Sequence, residues 1–308
     1  MADEPREDVR GVLDAIEAMD QPDYHELSAP AAREMRRGLL DAADDPERLA
    51  REYTRTVPGP GLELPVRVYE PQGDGPHPVV VYFHGGGFVL GTLDSRDPIC
   101  RTIAREADAV VVSVAYRLAP EHPFPAAVED CYAATEWAAA NPGQLGGAPG
   151  LAVAGDSAGG TLAAVVALMA AEQNGPELSH QALLYPAIGV DEDQASVREN
   201  AGIVLDEADL RFFQNCYFES SVHERNPYAD PAQAGDLSGV PPATVITAGF
   251  DPLRDGAKQY ADRLVGDGVG VRDENYPAQV HGFATMQIDA AEAVAVDVGG
   301  ELRSALRE

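Results

Sequence analysis

Lysine is nearly missing from this chain. Lys258 stands alone among 308 residues, so arginine supplies almost all of the 22 basic side chains that face 51 acidic ones. The resulting formal charge of −29 repels phosphate and excludes nucleic acid as a partner. Cysteine is scarce too: Cys100, Cys131 and Cys216 are too few and too scattered for a disulfide framework or a zinc site, and read as buried apolar side chains. No stretch approaches the ~18 consecutive apolar residues of a membrane span, so no membrane association is expected. The first thirty residues are acidic and lack the apolar core of a signal peptide. Arg36-Arg37 is followed only by Gly38-Leu39-Leu40 before charge resumes. A cytoplasmic protein is expected. Repeats and low-complexity tracts are also absent.

The chain does contain short apolar runs such as Val79-Val80-Val81-Tyr82-Phe83 and Val110-Val111-Val112-Ser113-Val114, suited to strands buried on both faces. Strands are expected at 62–70, 79–83, 110–116, 151–154, 182–185, 244–247 and 271–276, and residues 1 to about 50 precede any strand. Helices are expected between them, at about 99–107, 125–140, 158–173, 254–265 and 289–306. The alternation predicts an α/β fold with a doubly wound, mostly parallel sheet. Residues 1–50 look helical, with Val9, Val12, Leu13 and Ile16 at helical spacing and a later turn around Met35, Leu39 and Leu40. Residues 188–222 are acidic, with helical patches at Leu210, Phe212, Phe213 and Tyr217, and read as an insertion. The predicted organisation is N-terminal cap helices at 1–50, a catalytic domain at 51–187 and 223–308, and a cap insertion at 188–222.

Two glycine-rich motifs carry the chemistry. Gly155-Asp156-Ser157-Ala158-Gly159 lies between the 151–154 strand and the 158–173 helix, the context that lifts a serine hydroxyl clear of a sheet. His84-Gly85-Gly86-Gly87 directly follows the 79–83 strand. At this composition it arises by chance only about 0.01 times, against about 0.1 for the serine motif, so it is the stronger signal. Its backbone N–H groups suit an oxyanion hole, with Ala158 N–H as a further donor. A phosphate-binding loop is the weaker reading, because neither GxGxxG nor a Walker lysine is present.

A nucleophilic serine needs a base and an acid, and in this class of site the order along the chain is serine, acid, base. His281 follows the last expected strand in a Gln-Val-His-Gly-Phe loop. His180 and His223 are less well placed, and His25, His77, His84 and His122 precede the serine. The acid is assigned to Asp251 in Asp251-Pro252-Leu253, at the end of the preceding strand. Its rival Asp255 sits one turn into the next helix.

His84-Gly85-Gly86-Gly87, Tyr116-Arg117-Leu118-Ala119-Pro120-Glu121, Gly155-Asp156-Ser157-Ala158-Gly159-Gly160, Asp251-Pro252-Leu253 and His281-Gly282-Phe283 together resemble the hormone-sensitive-lipase-like esterases (family IV) of the α/β-hydrolase superfamily. The resemblance spans roughly residues 50–308. It implies a serine carboxylesterase acting on short- to medium-chain acyl esters through Ser157, Asp251 and His281, with no cofactor and no metal. It places the oxyanion hole at Gly85, Gly86, Gly87 and Ala158, with Gly86, Gly87 and Ala158 as donors and Gly85 shaping the loop. His84 becomes a structural loop residue. A small-molecule ester is the expected partner, and an exposed edge strand or the last helix could support a homodimer. A non-catalytic receptor on the same scaffold, or an amidase or peptidase with the same triad, are the alternatives.

The acidity is the departure from an ordinary member of that family. Carboxylates are spread along the whole chain, which argues against an acidic tail for a basic partner. A folded chain of this mass exposes on the order of 12,000 Å², so the excess charges lie roughly 20 Å apart. That spacing is far beyond the ~3 Å Debye length of molar salt and inside the ~30 Å length at 0.01 M. Self-repulsion is therefore negligible in brine and substantial in dilute buffer. A halophilic archaeal source is expected. The thermal unfolding temperature should fall on transfer from molar potassium chloride to dilute buffer; an unchanged value contradicts the reading.

Overall fold

The valine-rich runs of the sequence form the centre of a single sheet in the computed structural model, which describes residues 4–38 and 49–307. Two helices come first, α1 (Glu7–Glu17) and α2 (Ala29–Gly38). They are followed by β1 (Arg51–Pro58), β2 (Glu63–Glu70), β3 (His77–Phe83), α3 (Asp97–Ala107), β4 (Val110–Val114), α4 (Ala126–Ala140), β5 (Gly147–Asp156) and α5 (Ala158–Glu172). The second half comprises β6 (His180–Leu184), α6 (Ala195–Asn200), α7 (Glu207–Tyr217), β7 (Ala243–Phe250), α8 (Arg254–Gly266), β8 (Val271–Val280) and α9 (Asp289–Ala305). Met35 falls in α2, whereas Leu39 and Leu40 of the expected turn lie outside the described residues.

The eight strands are ordered β1-β2-β4-β3-β5-β6-β7-β8. β2 is antiparallel to both β1 and β4, and every pairing from β4 to β8 is parallel. Side chains alternate between the two faces as the pleat requires. Val81 lies level with Val112 and Val153 and joins the core under α4, α5 and α8. Val80 and Tyr82 turn the other way, onto Ile99 and Ile103 of α3 and Val294, Val298 and Leu302 of α9. α5 is buried on all sides from Ala158 to Ala170, which explains its uniformly small and apolar composition.

β1 was not expected. Its sequence, Arg-Glu-Tyr-Thr-Arg-Thr-Val-Pro, buries only Val57, because the strand lies at the sheet edge and pairs on one side alone. An edge strand of this kind lacks the apolar alternation that marks an interior one. β5 starts four residues before the expected run and β8 continues to Val280, four beyond its predicted end. Of the cysteines, Cys100 and Cys131 are buried as expected and Cys216 is partly exposed. No described helix is long and apolar enough to cross a membrane.

Outside the layers, α1, α2, α6 and α7 lie near the C-terminal ends of the central strands. Arg33 of α2 donates from Nε to the Val89 carbonyl (2.8 Å) and from Nη2 to the Ala119 carbonyl (2.7 Å), in the loops after β3 and β4. Tyr24 packs against Phe213 of α7, ring centroids 5.6 Å apart.

The core makes a direct prediction. Leu183 of β6 is fully buried in the face under α5. Leu183→Ala removes its contacts and leaves a cavity, so it should cost about 2–5 kcal/mol. Urea unfolding measures this, and a loss well below about 1 kcal/mol contradicts the assigned packing.

Candidate active site

β5 runs straight into α5 through one residue, Ser157, whose backbone sits at φ 54°, ψ −122°. This is strained for a residue with a side chain. The turn closes because its neighbours are glycine: a Cβ on Gly155 would overlap the Gly159 carbonyl, and a Cβ on Gly159 would overlap that of Phe83. Ser157 N–H donates to the Leu184 carbonyl at 2.9 Å, which anchors the turn to β6.

Two later strand ends bring the remaining groups. Asp251 follows β7 and is fully buried; its Oδ1 accepts the Leu253 N–H at 2.8 Å, leaving Oδ2 to face His281 Nδ1 at 2.9 Å. His281 follows β8, and its Nε2 lies 2.9 Å from Ser157 Oγ. A carboxylate can only accept, so Nδ1 carries the proton and donates to Asp251. Nε2 is left with a lone pair directed at the serine hydroxyl. Tyr185 packs edge-on against the imidazole, centroids 5.1 Å apart, and helps fix the ring plane. The structure thus brings Ser157, His281 and Asp251 into one hydrogen-bonded chain. Asp255 is not part of it. Its carboxylate accepts the Ser196 N–H at 2.8 Å and Arg254 Nε at 2.9 Å, tying α8 to α6.

The glycine loop after β3 turns sharply at Gly86 (φ 128°) and Gly87 (φ 60°). Among the described residues, the N–H groups of Gly86, Gly87 and Ala158 have no acceptor. Gly85 differs from them. Its N–H is spent on Asp156 Oδ1 at 3.0 Å, so Gly85 can only shape the loop. His84 is buried and stacked on Tyr116, ring centroids 4.3 Å apart, and Tyr116 Oη donates to the His84 carbonyl at 2.6 Å. Burial lowers the His84 pKa to about 4, so the ring is neutral at ordinary pH.

Sequence reasoning missed three residues. Asp156 is buried behind the serine and accepts from Tyr82, Gly85 and Arg96. Arg96, equally buried, pairs with it at 2.7 Å. Nothing in Asp94-Ser95-Arg96-Asp97 marks that arginine as different from a solvated one. The third is Phe213, whose ring lies directly over Gly87, where a Cβ would overlap it. In the sequence it stands out only as part of a helical patch. An open cleft lined by Gly86, Gly87, Ser157, His281, Leu210 and Phe213 gives access to the serine. The donor atoms of Asp23, His25 and Asp206 lie within 4.8 Å of one another and are the described group that could converge on a cation. Two of them already have protein partners: His25 Nδ1 lies 3.1 Å from Asp209, and Asp206 caps α7 through the Asp209 N–H.

A family model described as the alpha/beta hydrolase fold matches residues 80–285, the span from β3 to the turn after His281. The chain belongs to the α/β-hydrolase family. Carboxylesterase NlhH of Mycobacterium tuberculosis is 45% identical to this hydrolase over 273 residues, 84% of this chain and 86% of that protein. Esterase LipI of the same organism is 43% identical over 82% of this chain and 80% of its own length. Among solved structures, the hyperthermophilic esterase from the archaeon Pyrobaculum calidifontis matches with a TM-score of 0.92 at 38% identity, covering 98% of each chain.

Two buried imidazoles give this hydrolase a measurable acid response. Burial lowers both His84 and His180 to about 4, from an unfolded value of 6.5. Between those values the unfolded chain binds more protons than the folded one, so stability rises with pH and is lost as pH falls from about 6.5 towards 4. Their contribution is complete above 6.5. Chemical denaturation in molar salt, which screens the general carboxylate repulsion, should show this decline; a flat profile across the window contradicts it.

Proposed function

We propose that this α/β hydrolase is a serine carboxylesterase that cleaves short- to medium-chain acyl esters through an acyl-enzyme intermediate. The observation that carries the reading is the chain Asp251–His281–Ser157, linked at 2.9 Å and 2.9 Å, beside backbone donors with no acceptor of their own. Its relatives' names, esterase and carboxylesterase, agree with it.

In the proposed reaction the ester carbonyl lies between Ser157 Oγ and the N–H groups of Gly86, Gly87 and Ala158. His281 Nε2 takes the serine proton as Oγ bonds to the carbonyl carbon, and the developing oxyanion is held by the three N–H groups. Asp251 keeps the imidazole oriented and stabilises it while it is positively charged. Collapse expels the alcohol, which receives the proton from His281. Water then attacks the acyl-serine by the same steps. Each oxyanion donor of this kind contributes about 3 kcal/mol of transition-state stabilisation. A receptor without catalysis has no use for a base aligned on the serine.

We further propose that residues 1–50 and 188–222 act as a cap. Within the described part, Phe213 covers Gly87 of the glycine loop and Tyr24 packs on Phe213, which favours compact, soluble esters over lipid surfaces. The acidic surface fits a protein that works in a salt-rich cytoplasm. These readings rest on contacts and charge, and a single experiment addresses activity, pocket size and salt together. A p-nitrophenyl ester chain-length series at low and molar potassium chloride should show turnover that is highest at short to medium chains and sustained in salt. Ser157→Ala should lower p-nitrophenyl butyrate turnover by on the order of 10⁴–10⁶-fold with the fold intact. Retained turnover in that variant contradicts the assignment.

A further inference from the structure

We propose that Arg96 and Asp156 are positioning residues that clamp the glycine loop to the nucleophile turn and so fix the oxyanion donors relative to one another. The inference rests on the ester-hydrolase reading above and extends it to a buried ion pair that the triad does not use.

Asp156 is 1% exposed and Arg96 5%. The carboxylate is fully engaged: Oδ1 accepts from Tyr82 Oη at 2.9 Å, Gly85 N–H at 3.0 Å and Arg96 Nε at 2.8 Å, and Oδ2 accepts from Arg96 Nη2 at 2.7 Å. Arg96 Nη1 adds a bond to the Ser95 carbonyl at 3.0 Å. The pair lowers the Asp156 pKa against a burial effect that raises it, so the carboxylate stays charged.

Stability does not account for such a pair, because two buried charges can be replaced by apolar groups of similar volume with little or no loss. Geometry does. The proposed donors come from two separate segments, Gly86 and Gly87 from the loop after β3 and Ala158 from the turn after β5. Asp156 belongs to the turn, immediately before Ser157, and its carboxylate grips the peptide N–H of Gly85, immediately before Gly86. Arg96 holds that carboxylate in a two-pronged fork. The contact leaves no slack: a Cβ on Gly85 would come within 2.5 Å of Asp156 Oδ2 and 3.1 Å of Arg96 Nη2. Only a planar guanidinium can bond both carboxylate oxygens in this way; an ammonium keeps the charge and loses the fork. Loosening the fork lets the two donor segments drift apart, which weakens stabilisation of the transition state more than binding of the substrate.

The test compares Arg96→Lys with wild type on p-nitrophenyl butyrate, with rates expressed per titrated active site so that unfolded protein does not count. We expect kcat to fall about tenfold to a hundredfold while KM stays within about twofold, the signature of an interaction made in the transition state. The inhibition constant of a boronic acid, which mimics the tetrahedral species, should rise by the same factor as kcat/KM falls. Should Arg96→Lys fail to fold, Tyr82→Phe carries the test. It keeps the ion pair, removes one donor from the carboxylate and should lower kcat about two- to fivefold, with a matching rise for the boronic acid. Wild-type kcat per site, with only a lower melting temperature, overturns the clamp, and so does a rise in KM at unchanged kcat. A wild-type protein that hydrolyses no ester contradicts the ester-hydrolase reading instead, and with it the role given to the clamp.

Discussion

The close approach of β5 and α5 at Ser157 is the constraint on which the rest of the site depends. Strand and helix meet across a single residue, so Ser157 takes φ 54°, ψ −122°, and Gly155 and Gly159 leave no room for a side chain. Adjacent residues on the turn then point to opposite sides. Ser157 faces His281 in the cleft, while Asp156 turns into the interior and holds Gly85 and Arg96. The turn also starts a helix, leaving the Ala158 N–H without an intrahelical acceptor and available to an anion. One local strain thus directs a serine hydroxyl, a free backbone N–H and a buried carboxylate. The sheet and its burial supply the free energy that holds the strained backbone in place.

The same logic governs the charge. With one lysine, the chain relies on arginine, and several of its arginines serve more than one carboxylate. Arg67 bonds Asp94 and Asp97, each at 2.7 Å; Arg272 reaches Asp297 and Glu301, each at 2.9 Å, and also Glu274. Arg117 joins Asp130 at 2.7 Å and Glu129 at 3.5 Å, inside the Tyr-Arg-Leu-Ala-Pro-Glu segment. A planar fork of five donors suits this sharing better than an ammonium does. Even so, 22 basic groups cannot match 51 acidic ones, and the surplus carboxylates are left to water and counter-ions.

Much of this was legible in the sequence because it is local. A strand, a glycine-flanked serine and a helix follow one another without a break, and the unbroken valine runs mark which strands are buried on both faces. Chain order set aside the histidines before the serine, and position at a strand end then pointed to Asp251 over Asp255 and to His281 over His180 and His223. What was hidden is what depends on distant contacts. β1 carries no strand pattern because an edge strand needs little apolar character. Arg96 meets Asp156 across sixty residues and sits in a segment that looks solvated. Phe213 faces Gly87 only because the helices after β6 fold back over the loop after β3. The commitment of Gly85 N–H follows from where the Asp156 side chain turns, which a motif does not express.

In the proposed chemistry Ser157, activated by His281, is the nucleophile. Reaction with an alkyl phosphonate ester followed by peptide mass spectrometry tests it most directly. One adduct per chain is expected, located on Ser157, with a rate of formation that collapses in His281→Ala. Labelling of another residue, or labelling of Ser157 at an unchanged rate without His281, would contradict it.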